Sequence, residues 1–408
     1  MSESIFVAAP TDLRSGPALS ILRAGLARVS RDWRGPGLNL VLPSGEALTA
    51  GPTDSPDPVA IRVRSYRCLQ RLATAGDIGF AEGYIAGEWD TPDLARLLTV
   101  LADNFDGLER LGLGGPLAHL AHLVLKLFHR KTVRGSKKNI YAHYDLGNAF
   151  YESWLDPSMT YSAALYGGPG ETLEGAQARK YAALARDIGL QPGQTVLEIG
   201  CGWGGFAEFA AREVGAKVTG LTISAAQHAY ASRRIQTAGL SDRVDIRFCD
   251  YREAQGSFDR AVSIEMFEAV GESYWPTFFD KLHERLKPGG RAGLQIITIR
   301  DDLFEHYRSR VDFIQKHIFP GGMLPSETRL RQETERAGFG WSEPRRFGLD
   351  YAQTLHEWDD RFQAAWGALG QQGFDERFRR LWRFYLAYCE AGFATGRTDV
   401  LQVALERP

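Results

Sequence analysis

The chain has 408 residues, of which 44% are hydrophobic, and this is enough for two domains with cores of their own. Its 48 Lys and Arg against 50 Asp and Glu leave a net charge of -2, which gives no global basis for nucleic-acid binding. The four cysteines stand singly, a pattern typical of neither zinc sites nor disulfide frameworks, so we expect a reducing cytoplasm and no metal. The sequence shows neither a signal-peptide pattern nor 18 consecutive apolar residues, so we expect no membrane span.

The first third of the chain predicts a small α/β domain. Residues 18–29 suit a short helix, and LNLVLPSGEALTA alternates around a Pro-Ser-Gly turn as the strands of a hairpin do. A Pro-rich stretch then leads into the strand-like AIRVRS and into helices up to about residue 110. We place this domain at residues 1–125 and a second, larger one at residues 126–408.

A basic amphipathic segment, residues 116–130, lies near this boundary. Its apolar residues share one helical face. The other face carries His119, His122, Lys126 and Arg130. No acidic residue occurs between positions 117 and 138, which suits contact with anionic phospholipid headgroups. An interdomain helix with a solvated charged face is the equal alternative.

After residue 170, helices and strands alternate regularly. Helices are predicted to begin at Leu173, Gly205, Ala225 and Tyr274, and the strands are TVLEIG, AKVTGL, RVDIRF, FDRAVSI and GRAGLQIITI. Such alternation predicts an α/β fold with a doubly wound parallel sheet, in which ligands bind beyond the carboxyl ends of the strands.

The strand TVLEIG runs into a glycine-rich loop, residues 200–205, and then a helix. Glycines let a ligand approach the backbone amides at a helix N-terminus, so a nucleotide-like ligand is predicted. A nicotinamide cofactor would need an acid at the end of the next strand, where Thr222 and Ser224 stand instead. Glu198, two residues before the first glycine, is usual in methyltransferase loops, where it orders the loop beneath the methionine part of the cofactor.

Several long motifs in a fixed order carry a more specific resemblance. They are GDIGFAEGYIAGEWDTPDL, HYDLGNAFYESWLDPSMTYSAALY, VLEIGCGWGG, VTGLTISAAQ, FDRAVSIEMFEAVGE, FIQKHIFPGGMLPS, FGLDYAQTL and YLAYCEAGF. With them the chain resembles, over nearly its whole length, the cyclopropane-fatty-acyl-phospholipid synthase family, which includes mycolic acid cyclopropane synthases and acyl-chain methyltransferases. The resemblance implies a Rossmann-like class I methyltransferase domain, S-adenosylmethionine as cofactor, and an N-terminal domain for lipid binding or dimerisation.

The resemblance also implies the cofactor contacts by position. They are Tyr161, Ser162, Gly200, Gly202, Thr222, Ile223, Gln227 and Tyr251. The glycine-rich loop itself adds Glu198 and Gly204, and the end of a strand adds Asp250. Asp250, at a strand end, is assigned to the adenine.

The catalytic base is where the chain departs from the family, whose cyclopropane synthases hold a bicarbonate ion with a cysteine, a glutamate, a histidine and a tyrosine. Glu268 and Tyr351 match the glutamate and the tyrosine, but Ala163 and Gln295 stand at the other two positions. Whether a bicarbonate site persists is therefore open. Glu265, where many members have glycine, is predicted to supply a carboxylate in place of the ion.

Glu265 and Glu268 stand three residues apart after the strand FDRAVSI. Two close carboxyl groups in an apolar setting do not both ionise easily, so one is expected to stay protonated and orient the other, which acts as the base. The alternative is that Glu265 caps a helix N-terminus.

The prediction is methyl transfer from S-adenosylmethionine to the cis double bond of an unsaturated phospholipid acyl chain, with a methylene or methyl-branched product preferred to a cyclopropane. The enzyme is expected to be cytoplasmic and peripheral to the inner membrane. A homodimer is one option for its assembly. Three alternatives stay open: a bicarbonate-dependent cyclopropane synthase, a methyltransferase acting on another small or lipid-like acceptor, and a catalytically silent lipid-binding partner.

Overall fold

The structure, a computed structural model, describes residues 17–109 and 146–408. The chain divides into two compact units, Met1–Leu120 and Ala121–Pro408. The basic amphipathic segment and the predicted boundary at residue 125 lie outside the described residues and stay predictions. Among the helices in the described parts of the chain, none is both long and apolar enough to cross a membrane.

The described part of the first unit is a small α/β fold. Its elements are α1 (Pro17–Val29), β1 (Leu38–Val41), β2 (Ala47–Ala50), β3 (Val59–Val63), α2 (Arg67–Ile85), β4 (Trp89–Asp90), α3 (Leu94–Asp103) and α4 (Phe105–Glu109). The strands pair in the order β2-β1-β3-β4, and β1 and β2 form the predicted antiparallel hairpin. Ile61, Ile78, Trp89 and Leu97 are among the buried apolar side chains of this unit.

The second unit contains a larger sheet. Its strands are β5 (Thr195–Ile199), β6 (Lys217–Thr222), β7 (Val244–Phe248), β8 (Phe258–Ile264), β9 (Leu286–Ile299), β10 (Gly340–Trp341), β11 (Arg345–Arg346) and β12 (Thr398–Glu406). The helices are α5 (Asn148–Glu152), α6 (Leu173–Asp187), α7 (Gly205–Phe209), α8 (Ala225–Thr237), α9 (Trp275–Arg285), α10 (Asp301–Ser309), α11 (Phe313–His317), α12 (Glu327–Arg336), α13 (Gly348–Gln371) and α14 (Glu376–Ala394). The sheet order is β10-β12-β9-β8-β5-β6-β7, with β11 also paired to β12.

The five strands from β5 to β9 are parallel and confirm the doubly wound α/β fold. The sheet also contains a strand that the sequence pattern did not predict, β12, which runs antiparallel to β9 along its whole length. A short turn at residues 395–397 follows α14 and returns the chain beside β9, with Gly396 at φ +65°. No crossover helix is needed for an antiparallel neighbour.

Apolar side chains cover both faces of the sheet in two clusters. One includes Leu197, Phe278 and Leu294, and the other includes Val196 and Phe206. Because β8, β5 and β6 are neighbours, the loops at their carboxyl ends lie side by side at one edge of the sheet.

Candidate active site

The glycine-rich loop follows β5 in the middle of the sheet. The carbonyl of Leu221 accepts the N–H groups of Gly200 (3.0 Å) and Cys201 (2.8 Å), which ties the loop to β6. Gly200 has φ +84°, and a Cβ there would lie 2.6 Å from Cγ of Met266, so a larger residue does not fit. A Cβ at Gly202 would meet nothing within 4 Å. The loop thus leaves open space beside its backbone, as a nucleotide-like ligand requires.

Glu198 supplies an unsatisfied acceptor at the base of this loop. Its side chain is 3% exposed, and within the described residues Oε2 has no hydrogen-bond partner. Burial raises the pKa of this carboxyl to about 8, opposed by the positive charge of Arg234. A buried carboxyl without a partner fits a cationic ligand group such as the ammonium of S-adenosylmethionine.

Glu198→Gln keeps the side-chain shape and removes the ionisable group. The folded carboxyl keeps its proton up to about pH 8, against an ordinary value of 4.5, so the folded state binds more protons between these values. Its contribution to stability therefore falls as pH rises across that interval. We expect Glu198→Gln to raise the Tm of the cofactor-free protein at pH 8 by roughly 2–4 °C. Its Kd for S-adenosylmethionine should rise about tenfold, about the worth of one charge-assisted hydrogen bond. Calorimetry measures both, and unchanged cofactor affinity would contradict this role.

The turn from β6 into α8 holds the next group of predicted cofactor residues. The Thr222 hydroxyl donates to Oε1 of Gln227 (2.9 Å), and Ser224 caps α8 by accepting the N–H of Gln227. Ile223 is half-buried between these polar residues. The turn is therefore rigid and lies beside the glycine-rich loop.

Asp250 and Tyr251 follow β7. The Asp250 carboxylate accepts both the backbone N–H (3.0 Å) and Nε (2.8 Å) of Arg252, so this chain already supplies it with a cation. The Tyr251 ring packs against Phe278, and its buried hydroxyl has no partner within the described residues. The adenine contact of Asp250 stays a prediction, and Tyr251 offers the unused polar group.

Tyr161 and Ser162 lie on the segment before α6. The Tyr161 hydroxyl hydrogen-bonds to that of Tyr385 (2.7 Å), and Ser162 Oγ accepts from Nζ of Lys180 (2.6 Å). Met159, on the same segment, has φ +54°. In the described residues Met159 and Glu265 are the non-glycine residues with positive φ, and such strain clusters at functional sites.

Glu265 lies at the end of β8 and is held on both carboxylate oxygens. Oε1 accepts the Ala163 N–H (2.8 Å) and Nε2 of Gln295 (2.7 Å), and Oε2 accepts the Tyr351 hydroxyl (2.9 Å). Three of the four positions assigned to the family's anion site thus converge on this carboxylate. It does not cap a helix, because the N-cap of the following turn is Met266, which makes no side-chain cap.

Gln295 is itself held in one orientation. Its Oε1 accepts Nε2 of Gln402 on β12 (3.0 Å), which leaves its own Nε2 to face Glu265. Ala163, on the other side, is fully buried and adds only a methyl group. Of the two departures from the family's ligand set, Gln295 therefore provides a hydrogen-bond donor to Glu265, and Ala163 leaves room for its side chain.

Glu268 lies in the next turn, Phe267–Ala269, and is less satisfied. Oε1 accepts the Ile297 N–H (2.6 Å), whereas the buried Oε2 has no partner in the described parts of the chain. Burial, and then the charge of Glu265, raise the pKa of Glu268 to about 8. Burial also raises the pKa of Glu265, but Lys180 and the three hydrogen-bond donors oppose this. Glu268 is therefore the protonated member of the pair near neutral pH.

The prediction that one glutamate orients the other is wrong in one respect. Within the described residues the two carboxyl groups do not hydrogen-bond to each other, and Glu265 is oriented by Ala163, Gln295 and Tyr351. Both glutamates are half-buried.

Sequence reasoning missed Lys180 and Gln402. Lys180 follows Leu173, Ala176 and Gln177 at helical spacing on a face that is buried, and this periodicity is the signal that could have identified it. Gln402 lies on β12, which was not predicted as a strand.

Comparison with known proteins gives consistent results. The profile of the mycolic acid cyclopropane synthetase family matches residues 131–403. The tuberculostearic acid methyltransferase of Mycobacterium tuberculosis is 38% identical over 91% of this chain and 88% of its own. The cyclopropane-fatty-acyl-phospholipid synthase of Escherichia coli is 36% identical over 86% of this chain and 88% of its own. The solved mycolic acid cyclopropane synthase complexed with S-adenosylhomocysteine and CTAB superposes with a TM-score of 0.63 at 31% identity, covering 66% of this chain and 98% of that one.

Proposed function

Because the chain belongs to the mycolic acid cyclopropane synthetase family and is an S-adenosylmethionine-dependent methyltransferase, we propose that it methylates the cis double bond of an unsaturated phospholipid acyl chain. The observation that carries this proposal is the Glu265 carboxylate, fixed by three donors beside the protonated Glu268. Relatives named for fatty-acyl-phospholipid cyclopropanation and fatty-acid methylation support a lipid acceptor.

When bound, the cofactor supplies an electrophilic methyl group on a sulfonium. An isolated alkene is a weak nucleophile, so the protein must hold it in line with that methyl in a site that excludes water. The π electrons form the new C–C bond as the bond between the methyl group and sulfur breaks and leaves its electrons on the sulfur, and the other olefinic carbon becomes cationic. The Glu265 carboxylate stabilises this charge and then accepts the proton that leaves.

The route of that proton decides the product. If it leaves the added methyl at once, the electrons of the C–H bond close a cyclopropane ring. If a hydride first shifts from the methylated carbon to the cationic one, loss of a methyl proton gives a methylene branch on the acyl chain. We propose the second route, because a tethered carboxylate replaces the diffusible ion. The 38% identical relative is also named a methyltransferase rather than a cyclopropane synthase.

We further propose that the enzyme works in the cytoplasm at the inner membrane surface. The support is the absence of acidic residues between positions 117 and 138, where basic ones accumulate. The alternative to the membrane surface, as the partner of the first unit, is a second copy of the chain. Sedimentation with anionic but not with neutral vesicles would indicate membrane contact, and a doubled mass in solution would indicate a homodimer.

Purified protein incubated with S-adenosylmethionine and vesicles of an oleoyl phospholipid tests the activity. We expect each modified chain to gain one CH₂. Mild catalytic hydrogenation should then add H₂ to the product, since a methylene reacts and a ring does not. A ring product would refute the preferred route and return the chain to cyclopropane synthesis. No lipid product despite tight cofactor binding would instead point to another acceptor, and no cofactor binding would indicate a silent partner.

A further inference from the structure

Lys180 is a buried amine beside the site that the mechanism above does not use. Burial lowers the pKa of this amine to about 7, and the negative charges of Glu265 and Asp156 oppose that shift. It lies on α6 with none of its surface exposed. Its Nζ donates to Ser162 Oγ at 2.6 Å and lies 4.8 Å from the ring centroid of Tyr181. An ammonium that keeps its charge away from water needs compensation, so its position calls for a physical reason.

Two connected routes join Lys180 to Glu265. Ser162, which accepts from the ammonium, directly precedes Ala163, whose N–H donates to the Glu265 carboxylate. On the backbone side, the carbonyl of Lys180 accepts Nε2 of Gln402 (3.2 Å), the amide that also orients Gln295 towards Glu265. The lysine and the glutamate therefore belong to one hydrogen-bonded assembly.

The charges around this assembly are complementary. Lys180 is faced by two carboxylates, Glu265 and Asp156, and by the phenol of Tyr181. Asp156 is buried, and within the described residues its Oδ1 has no partner. Glu265 is faced by Lys180 as its cation, with the Glu268 carboxyl and the Tyr351 hydroxyl as its other titratable neighbours.

We propose that Lys180 is a positioning residue that holds Glu265 ionised and turns the Ser162 hydroxyl proton towards the cofactor. An ammonium can only donate, so Ser162 Oγ must accept and its own proton is left for another acceptor, such as the cofactor carboxylate. The short Nζ–Oγ distance is typical of a charge-assisted bond. This role rests on the proposed function of Glu265 as the base.

The kinetic test replaces Lys180 with Met, which keeps the length and removes the charge. Without the cation the pKa of Glu265 rises, so the acid limb of the kcat–pH profile should move up by about one pH unit. The KM for S-adenosylmethionine should rise about tenfold, because the Ser162 hydroxyl loses its fixed orientation.

Gln177→Met is the matched control. Gln177 lies one turn earlier on the same buried face and donates to the Ser162 carbonyl (2.9 Å), but carries no charge. It should leave the acid limb in place whatever it does to kcat. Equal shifts in both variants, or no shift in Lys180→Met, would overturn the proposal.

A second measurement needs no methyl transfer. Removing one partner of a buried charge pair leaves the other uncompensated, so Lys180→Met should lose less stability in a Glu265→Gln background than in the wild type. Urea unfolding of the four proteins measures this difference. A Lys180→Met protein that folds only together with Glu265→Gln would also support the pairing. Equal losses in both backgrounds, or no folding in either, would overturn it, whether or not the proposed reaction is observed.

Discussion

Bicarbonate is expected to restore activity to Glu265→Gly, a variant that should otherwise lose at least about a hundredfold in kcat. Removing the side chain leaves the Ala163 N–H, the Gln295 amide and the Tyr351 hydroxyl directed at the space of the two carboxylate oxygens. A bicarbonate ion offers acceptor oxygens of the same shape and charge. The rescue should saturate with bicarbonate and be absent in the wild type.

The backbone decides which substitution is informative. Glu265 has φ +49°, which glycine adopts freely and which costs other residues about 1–2 kcal/mol. Glu265→Gly therefore empties the site without adding strain. Glu265→Gln is the matched control, because it fills the same space without a base and should stay inactive with bicarbonate. Full activity of Glu265→Ala in the absence of bicarbonate would remove Glu265 from the mechanism.

Glu268→Gln is expected to lower turnover by about 10²- to 10⁴-fold, the range for a lost acid–base group. Its carboxyl bonds to the Ile297 N–H and not to the glycine-rich loop, so the Kd for S-adenosylmethionine should stay within about twofold. The amide keeps the acceptor for Ile297 but can neither hold nor release the proton that the carboxyl carries near neutral pH.

Single-turnover kinetics and calorimetry separate these two effects. Glu272→Gln is the control, because Glu272 lies in the following turn and pairs with Arg308 near the surface. It should retain wild-type turnover. If Glu268→Gln kept more than about a tenth of the wild-type rate, proton transfer would not depend on this carboxyl.

The sequence predicted the parallel part of the fold because helices separate most of those strands, although only a short turn lies between β7 and β8. It did not predict β12, since nothing in TDVLQVALE distinguishes an antiparallel neighbour of β9 from a surface strand. That strand brings in Gln402, so the support of Gln295 was also missed.

The sequence predicted which residues belong to the site around Glu265, but not the hydrogen bonds between them. Ala163 and Gln295 replace two residues that hold the bicarbonate ion in the family, and Glu265 adds a carboxylate where many members have glycine. The sequence therefore predicted that the Glu265 carboxylate takes the place of the ion. The spacing of residues does not reveal that Glu265 takes φ +49°. It also does not reveal that its carboxylate accepts hydrogen bonds from three other residues and none from Glu268. These depend on tertiary contacts between segments far apart in the chain.

The initial rate of the wild-type enzyme in buffer freed of carbon dioxide, titrated with bicarbonate, tests the central claim most directly. If the Glu265 carboxylate is the base, the rate of lipid methylation is the same with and without the ion. A saturable rise in rate on adding bicarbonate would show that the ion, and not Glu265, accepts the proton.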